Sequence, residues 1–144
     1  INLAPGHKLI SLIVPKESGR ILTVTENGYG KRTENAEFPA KGRGGKGVIA
    51  MSTSERNGSL VGAVQVWDGD EMMLISNQGT AVRTRVDEVS LLGRNTQGVR
   101  VIRTRDGEAL VSVSRIAEDD DATEPAQPVV TDENSDSGSN ETEE

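Results

Sequence analysis

The chain has 144 residues, room for about one domain, and is 33 % apolar with a single Trp, Tyr and Phe, which excludes a core built on aromatics. Its net charge of −7 hides two opposite parts: residues 1–117 hold all 16 Lys and Arg against 12 acids, net +4, while residues 118–144 hold 11 acids and no base. Without cysteine there is neither a disulfide framework nor a thiolate metal site, and no apolar run approaches the ~18 residues of a membrane span.

From Ile1 to His7 the signals are weak, with a turn at Pro5-Gly6. Leu9 to Val14 is a short apolar run ended by Pro15 and reads as a strand. Ile21 to Thr25 is β-branched and strand-like, Asn27-Gly28 signals a hairpin, and Tyr29 to Thr33 is the returning strand. A polar connection leads to Lys41-Gly42-Arg43-Gly44-Gly45-Lys46-Gly47, three cations among four glycines, and then to a strand over Val48 to Met51. Leu60 to Trp67 is the next strand. Met72 to Ser76, the turn at Asn77-Gln78-Gly79, and Thr80 to Arg85 form a second hairpin of the same design. Val99 to Thr104 and Leu110 to Ile116 are the last strands. No segment has helical periodicity, so the body reads as all-β.

Sliding the sequence by fifty-one residues gives an ungapped match. Gly28 falls on Gly79, Arg32-Thr33 on Arg83-Thr84, Gly42-Arg43 on Gly93-Arg94, and Gly47-Val48 on Gly98-Val99. A period near fifty with several short strands per unit is the mark of a propeller-like array, whose units bury their apolar faces only against neighbours. The expected units are about 9–59 and 60–109, with a final strand at 110–116 beginning a third. Two units cannot close a ring, so further units are expected before Ile1. An open piece of this kind exposes strand edges. Residues 118–144 have too little apolar surface to offset ordering entropy and are expected to be disordered.

Catalytic readings fail on residue types. Gly42 to Gly47 fits G-x-G-x-x-G, yet no long helix follows, and Asn95 stands where the second copy needs the counterpart of Gly44. A P-loop fails because Val48 sits where Ser or Thr should follow Lys. His7 is the only histidine, which leaves no paired-His metal site and no repeated Ser/His arrangement. Tyr29 is expected to pack over the Asn27-Gly28 hairpin rather than act as a nucleophile.

The cations remain: Lys31, Arg32, Lys41, Arg43 and Lys46 in the first unit, and Arg83, Arg85, Arg94, Arg100, Arg103 and Arg105 in the second. Charged strand edges that discourage pairing explain such residues as well as a binding patch does. The repetition of Arg32 at Arg83 and Arg43 at Arg94 favours the patch, because stacked units would align them along one rim. Regular arginines on a rim suit a bent duplex held by its phosphates, without base reading. Lys31, Arg32, Lys41, Arg43, Lys46, Arg83, Arg85 and Arg94 are therefore the candidate DNA-binding residues.

Tyr29 to Thr33, Lys41 to Gly47, Val61 to Val66, Val82 to Arg85 and Gly93 to Val99 resemble the last repeats of the C-terminal domain of the DNA gyrase A protein, and the resemblance runs through residues 1–117. It implies a six-bladed β-pinwheel that wraps DNA around its basic rim, of which this chain is the final third. It also implies duplex DNA, the gyrase B protein and a second copy of the gyrase A protein as partners, a bacterial cytoplasmic location at the nucleoid, and a type IIA topoisomerase as the whole enzyme. ATP and Mg would serve other parts of that enzyme; no catalytic residue, cofactor site or metal site carries over to this chain. The family's signature box, Q-[KR]-R-G-G-[KR]-G, is met by Arg43, Gly44, Gly45, Lys46 and Gly47, while Lys41 replaces its Gln and Gly42 its first base. The loop thus resembles a degenerate late copy of the box. The A protein of topoisomerase IV and a protein-interaction propeller with a basic rim are the alternatives. The charge contrast between body and tail further suggests that the tail competes with DNA for the rim.

Overall fold

The computed structural model describes residues 3–117, and the expected disorder of 118–144 falls outside them. Among the described residues seven strands carry the fold: β1 (Arg20–Thr25), β2 (Tyr29–Glu34), β3 (Leu60–Val66), β4 (Glu71–Ser76), β5 (Ala81–Arg85), β6 (Val99–Arg100) and β7 (Leu110–Ile116). Short 3-10 turns follow β2 at Asn35–Glu37 and β5 at Val86–Glu88. There is no α-helix among the described residues, and no helix long and apolar enough to cross a membrane.

The hairpins form where glycine permits a left-handed turn: Gly28 has φ 87° and Gly79 φ 85°. β1 pairs antiparallel with β2, and β4 with β5, in equivalent register. The open side of β1 is taken by β3, and that of β4 by β7. Both of these ladders slip at the same repeat position, between Val24 and Thr25 in one and Ile75 and Ser76 in the other. The result is a sheet of order β3-β1-β2-β6 beside one of order β5-β4-β7.

The fifty-one-residue period is therefore retained in space, but its frame differs from the sequence reading. Units cut at 9–59 and 60–109 separate β3 from the β1–β2 hairpin that it joins. The three-stranded sets run from β1 to β3 and from β4 to β7, each outermost strand arriving after a long connection.

Two expected strands are missing for one reason, and a third is shortened. Leu9 to Val14 and Val48 to Met51 belong to no strand, and the strand expected over Val99 to Thr104 contracts to β6. A strand exists by virtue of its ladder. One period after Leu9 to Val14, β3 pairs with β1; one period after Val48 and Ile49, β6 pairs with β2 at Tyr29↔Arg100 and Gly30↔Val99. The corresponding hairpin one period before β1 has no counterpart in the chain. Leu9, Leu12, Val14 and Ile49 accordingly stay exposed.

The core is aliphatic, as composition requires. Leu22, Val24, Val66, Met72, Leu74, Val86, Val89 and Leu110 form one buried cluster drawn from both sheets. At ~1.5–3 kcal/mol for each fully buried aliphatic side chain, this cluster is the main favourable term holding the sheets together. Hydrogen bonds add direct links between the two units. Val101 and Ile102 N–H both donate to Gly28 O, at 2.8 and 3.2 Å, and Leu110 N–H donates to Glu26 O at 2.8 Å.

Candidate nucleic-acid interface

Lys41, Arg43 and Lys46 stand on an exposed segment with no regular structure beyond a turn. Gly44 and Gly47 take φ of 77° and 84°, so the chain reverses tightly while carrying little side-chain bulk. None of the three cations enters an ion pair within the described residues. Their charge meets no ion-pair partner there, and the glycines put no side chain between the backbone and a ligand.

The repeated arginines behave differently. Arg32 Nε donates to Val89 O at 2.7 Å, and its guanidinium lies 3.3 Å from Asp68 Oδ1, with the side chain 13 % exposed. Asp68 also accepts Arg20 at 2.8 Å, so Arg32 is one arm of a brace between the two units. Arg83 occupies the equivalent position and pairs with Glu71, its Nε donating at 2.6 Å. Arg85 lies 3.1 Å from Asp87 with its side chain mostly in solvent. The Gly69 N–H, with Arg85 beside it, holds the Asp87 carboxyl below its ordinary range. Arg94 is half-buried, donating to Ile49 O at 2.8 Å, while its backbone N–H meets Glu37 at 2.9 Å.

Lys31 departs furthest from the expected role. It is fully buried, with Nζ donating to Gly93 O at 2.7 Å, to Thr96 O at 3.1 Å and to Arg94 O. Burial pushes its ammonium down to about 8, opposed by the Glu37 carboxylate and reinforced by Arg94. Lys31 is thus a lock on the Gly93–Thr96 turn, withdrawn from any phosphate. Of the eight candidates, the structure leaves Lys41, Arg43 and Lys46 exposed without an ion pair, and Arg83 and Arg85 exposed with one.

Two cations of the second unit that the sequence pointed to lie outside those eight candidates. Arg103 and Arg105 are exposed and carry no ion pair. Tyr29, expected over its hairpin, is instead buried between two arginines. Arg56 and Arg100 lie 5.2 and 5.1 Å from the ring centroid, and both donate to the phenol oxygen. Arg56 has no cationic counterpart one period on, where Gly107 stands, and Tyr29 maps to Thr80. Repeated charge therefore gives no sign of this cluster; the one signal in the sequence is that Tyr29 is the sole tyrosine.

Among the described residues no group of three or more His, Asp and Glu is placed to hold a metal ion.

Comparison with known proteins identifies the scaffold. The DNA gyrase A protein of Pseudomonas aeruginosa is 58 % identical over 118 residues, covering 82 % of this chain and 13 % of the relative. The Escherichia coli K12 protein of the same name is 58 % identical over 118 residues, covering 82 % of this chain and 14 % of the relative. The chain thus spans about one seventh of the curated relatives that it matches. A solved DNA gyrase A C-terminal domain superposes with TM-score 0.66 at 35 % identity, covering 70 % of this chain and 34 % of its own. The C-terminal domain of DNA topoisomerase IV superposes with TM-score 0.75 at 21 % identity, covering 83 % of this chain and 38 % of its own, a likeness of fold alone. The family model described as "DNA gyrase C-terminal domain, beta-propeller" matches residues 19–66 and 70–117, the frame of the two three-stranded sets. With both repeats matched, the chain belongs to the DNA gyrase C-terminal domain family.

Proposed function

We propose that this domain binds duplex DNA through its phosphates, without reading base sequence, and contributes to wrapping DNA for a bacterial gyrase. In that setting the domain is part of a gyrase A protein that works with a second copy of itself and with the gyrase B protein in ATP-dependent negative supercoiling, at the nucleoid in the cytoplasm. The observation that carries the DNA-binding reading is the exposed glycine loop, which presents Lys41, Arg43 and Lys46 with no acidic partner among the described residues. Base readout lacks its usual means, since the described residues offer no helix to enter a groove and no exposed aromatic platform for stacking.

The test is retention of two duplexes of equal length and unrelated sequence, measured for the natural chain and for a Lys41→Gln, Arg43→Gln, Lys46→Gln variant. Equal affinity for the two duplexes, lowered in parallel by the variant, is the expected result. A strong preference for one duplex, or an unchanged affinity in the variant, would overturn the proposal. Binding to acidic proteins with no retention of DNA would favour the interaction propeller.

A further inference from the structure

The arrangement around Tyr29 needs a reason beyond packing. Arg56 comes from the loop before β3 and Arg100 from β6, and β2 brings Tyr29 between them. Arg56 Nε donates to Tyr29 Oη at 3.1 Å and Arg100 Nη2 donates to the same oxygen at 3.0 Å. Both guanidiniums also lie within cation–π range of the ring, which holds their planes in place. Tyr29 is 4 % exposed, whereas Arg56 and Arg100 are exposed. Two like charges are therefore fixed close together at the surface, and neither forms an ion pair among the described residues.

Such an assembly is rich in donors and poor in acceptors. Each guanidinium has five N–H donors and spends one on Tyr29. The phenol oxygen accepts twice, which fills its acceptor capacity and leaves its O–H to donate. Bringing two cations together without a counter-charge is unfavourable, and an anion that receives both removes the repulsion. Planar guanidinium forks match tetrahedral phosphate oxygens, with two parallel hydrogen bonds from each fork.

We propose that Arg56 and Arg100, pinned on Tyr29, form a seat for one backbone phosphate of duplex DNA. The proposal rests on the DNA-binding reading and adds to it a contact that lies outside the repeated cations. It differs in kind from the glycine loop: the loop's cations are exposed with no side-chain hydrogen bond to hold them among the contacts described, whereas this seat is held on Tyr29, so less side-chain freedom is lost on binding. The hydrogen bond from Arg100, and then that from Arg56, hold the phenol below its ordinary range, which makes Tyr29 responsive to charge arriving at the seat.

Tyr29 is the only tyrosine, so its near-ultraviolet tyrosinate absorbance reports this one site. The full 144-residue chain is titrated alone, with a mixed-sequence duplex, and with inorganic phosphate. A phosphate in the seat neutralises the arginines and raises the Tyr29 midpoint, so the DNA-bound chain should ionise at higher pH than the free one. In parallel, an Arg56→Gln, Arg100→Gln variant, its fold checked by Trp67 emission, should lose about tenfold in duplex affinity at ~0.1 M salt, with a salt slope smaller by about one. Retention of DNA with an unmoved Tyr29 midpoint and an unchanged slope in the variant would overturn the seat while leaving DNA binding intact. A midpoint moved by inorganic phosphate in a chain that retains no duplex would overturn both readings and make this a small-anion site.

Discussion

Gly28 and Gly79 occupy the same position in the two hairpins and have nearly the same backbone, φ 87° and 85°. Their surroundings differ. A Cβ added at Gly79 would meet nothing within 4 Å, whereas at Gly28 it would fall well inside contact distance of Ile102 O, a backbone atom that cannot swing aside. Gly79→Ala should therefore cost only the left-handed penalty, ~1–2 kcal/mol. Gly28→Ala adds displacement of the segment after β6, which breaks the Val101 and Ile102 hydrogen bonds to Gly28 O. At ~0.5–1.5 kcal/mol for each bond, the expected total is about 2–5 kcal/mol. Urea unfolding followed by Trp67 emission measures both variants against the natural chain. Equal destabilisation by the two substitutions would refute the reasoning, because it would mean that the second unit does not close over the first hairpin in solution.

Other expectations concern charge. Lys31, lowered from 10.5 to about 8, binds its proton less readily in the folded state, so stability should rise between about pH 8 and 10.5. The rise is worth up to ~3 kcal/mol and should vanish in Lys31→Met. Because the lowered phenol of Tyr29 acts in the same direction, both chains are compared in a Tyr29→Phe background, and an identical pH profile would contradict the assignment. Arg32→Gln should lower stability by ~1–3 kcal/mol, since Val89 O loses its charged donor and Asp68 one of its two partners, yet change DNA affinity little. Unfolding curves and duplex retention on the same sample separate these effects. Truncation after Ala117, which removes 11 acids, should tighten DNA binding at low salt; unchanged binding would show the tail to be only solvating.

The two hairpins, the strands Leu60–Val66 and Leu110–Ile116 and the period were legible because turn glycines and β-branched runs are local signals, whereas Leu9 to Val14 and Val48 to Met51 carry the same signals without a ladder partner. The frame was not, since an ungapped shift of fifty-one fixes spacing but not which strand closes which sheet. That β3 returns to β1 is a non-local pairing, and nothing within Leu60 to Val66 names its partner. For the site, repetition pointed first to residues that the fold itself repeats. Arg32 and Arg83 recur because each ties a strand to a neighbouring carboxylate, Asp68 for one and Glu71 for the other. Lys31 was misjudged because a lysine beside a hairpin gives no local sign that three carbonyls will converge on it. The glycine loop was read correctly as exposed and cationic, since its composition permits little else.

The proposed reading has phosphates, not bases, hold the ligand, at the glycine loop and at the Tyr29 seat. The direct measurement is duplex affinity for the 144-residue chain across a range of salt. With roughly five phosphates engaged, log affinity should fall against log salt with a slope of about −4 to −5, the same for any mixed sequence. A flat response to salt would contradict the account.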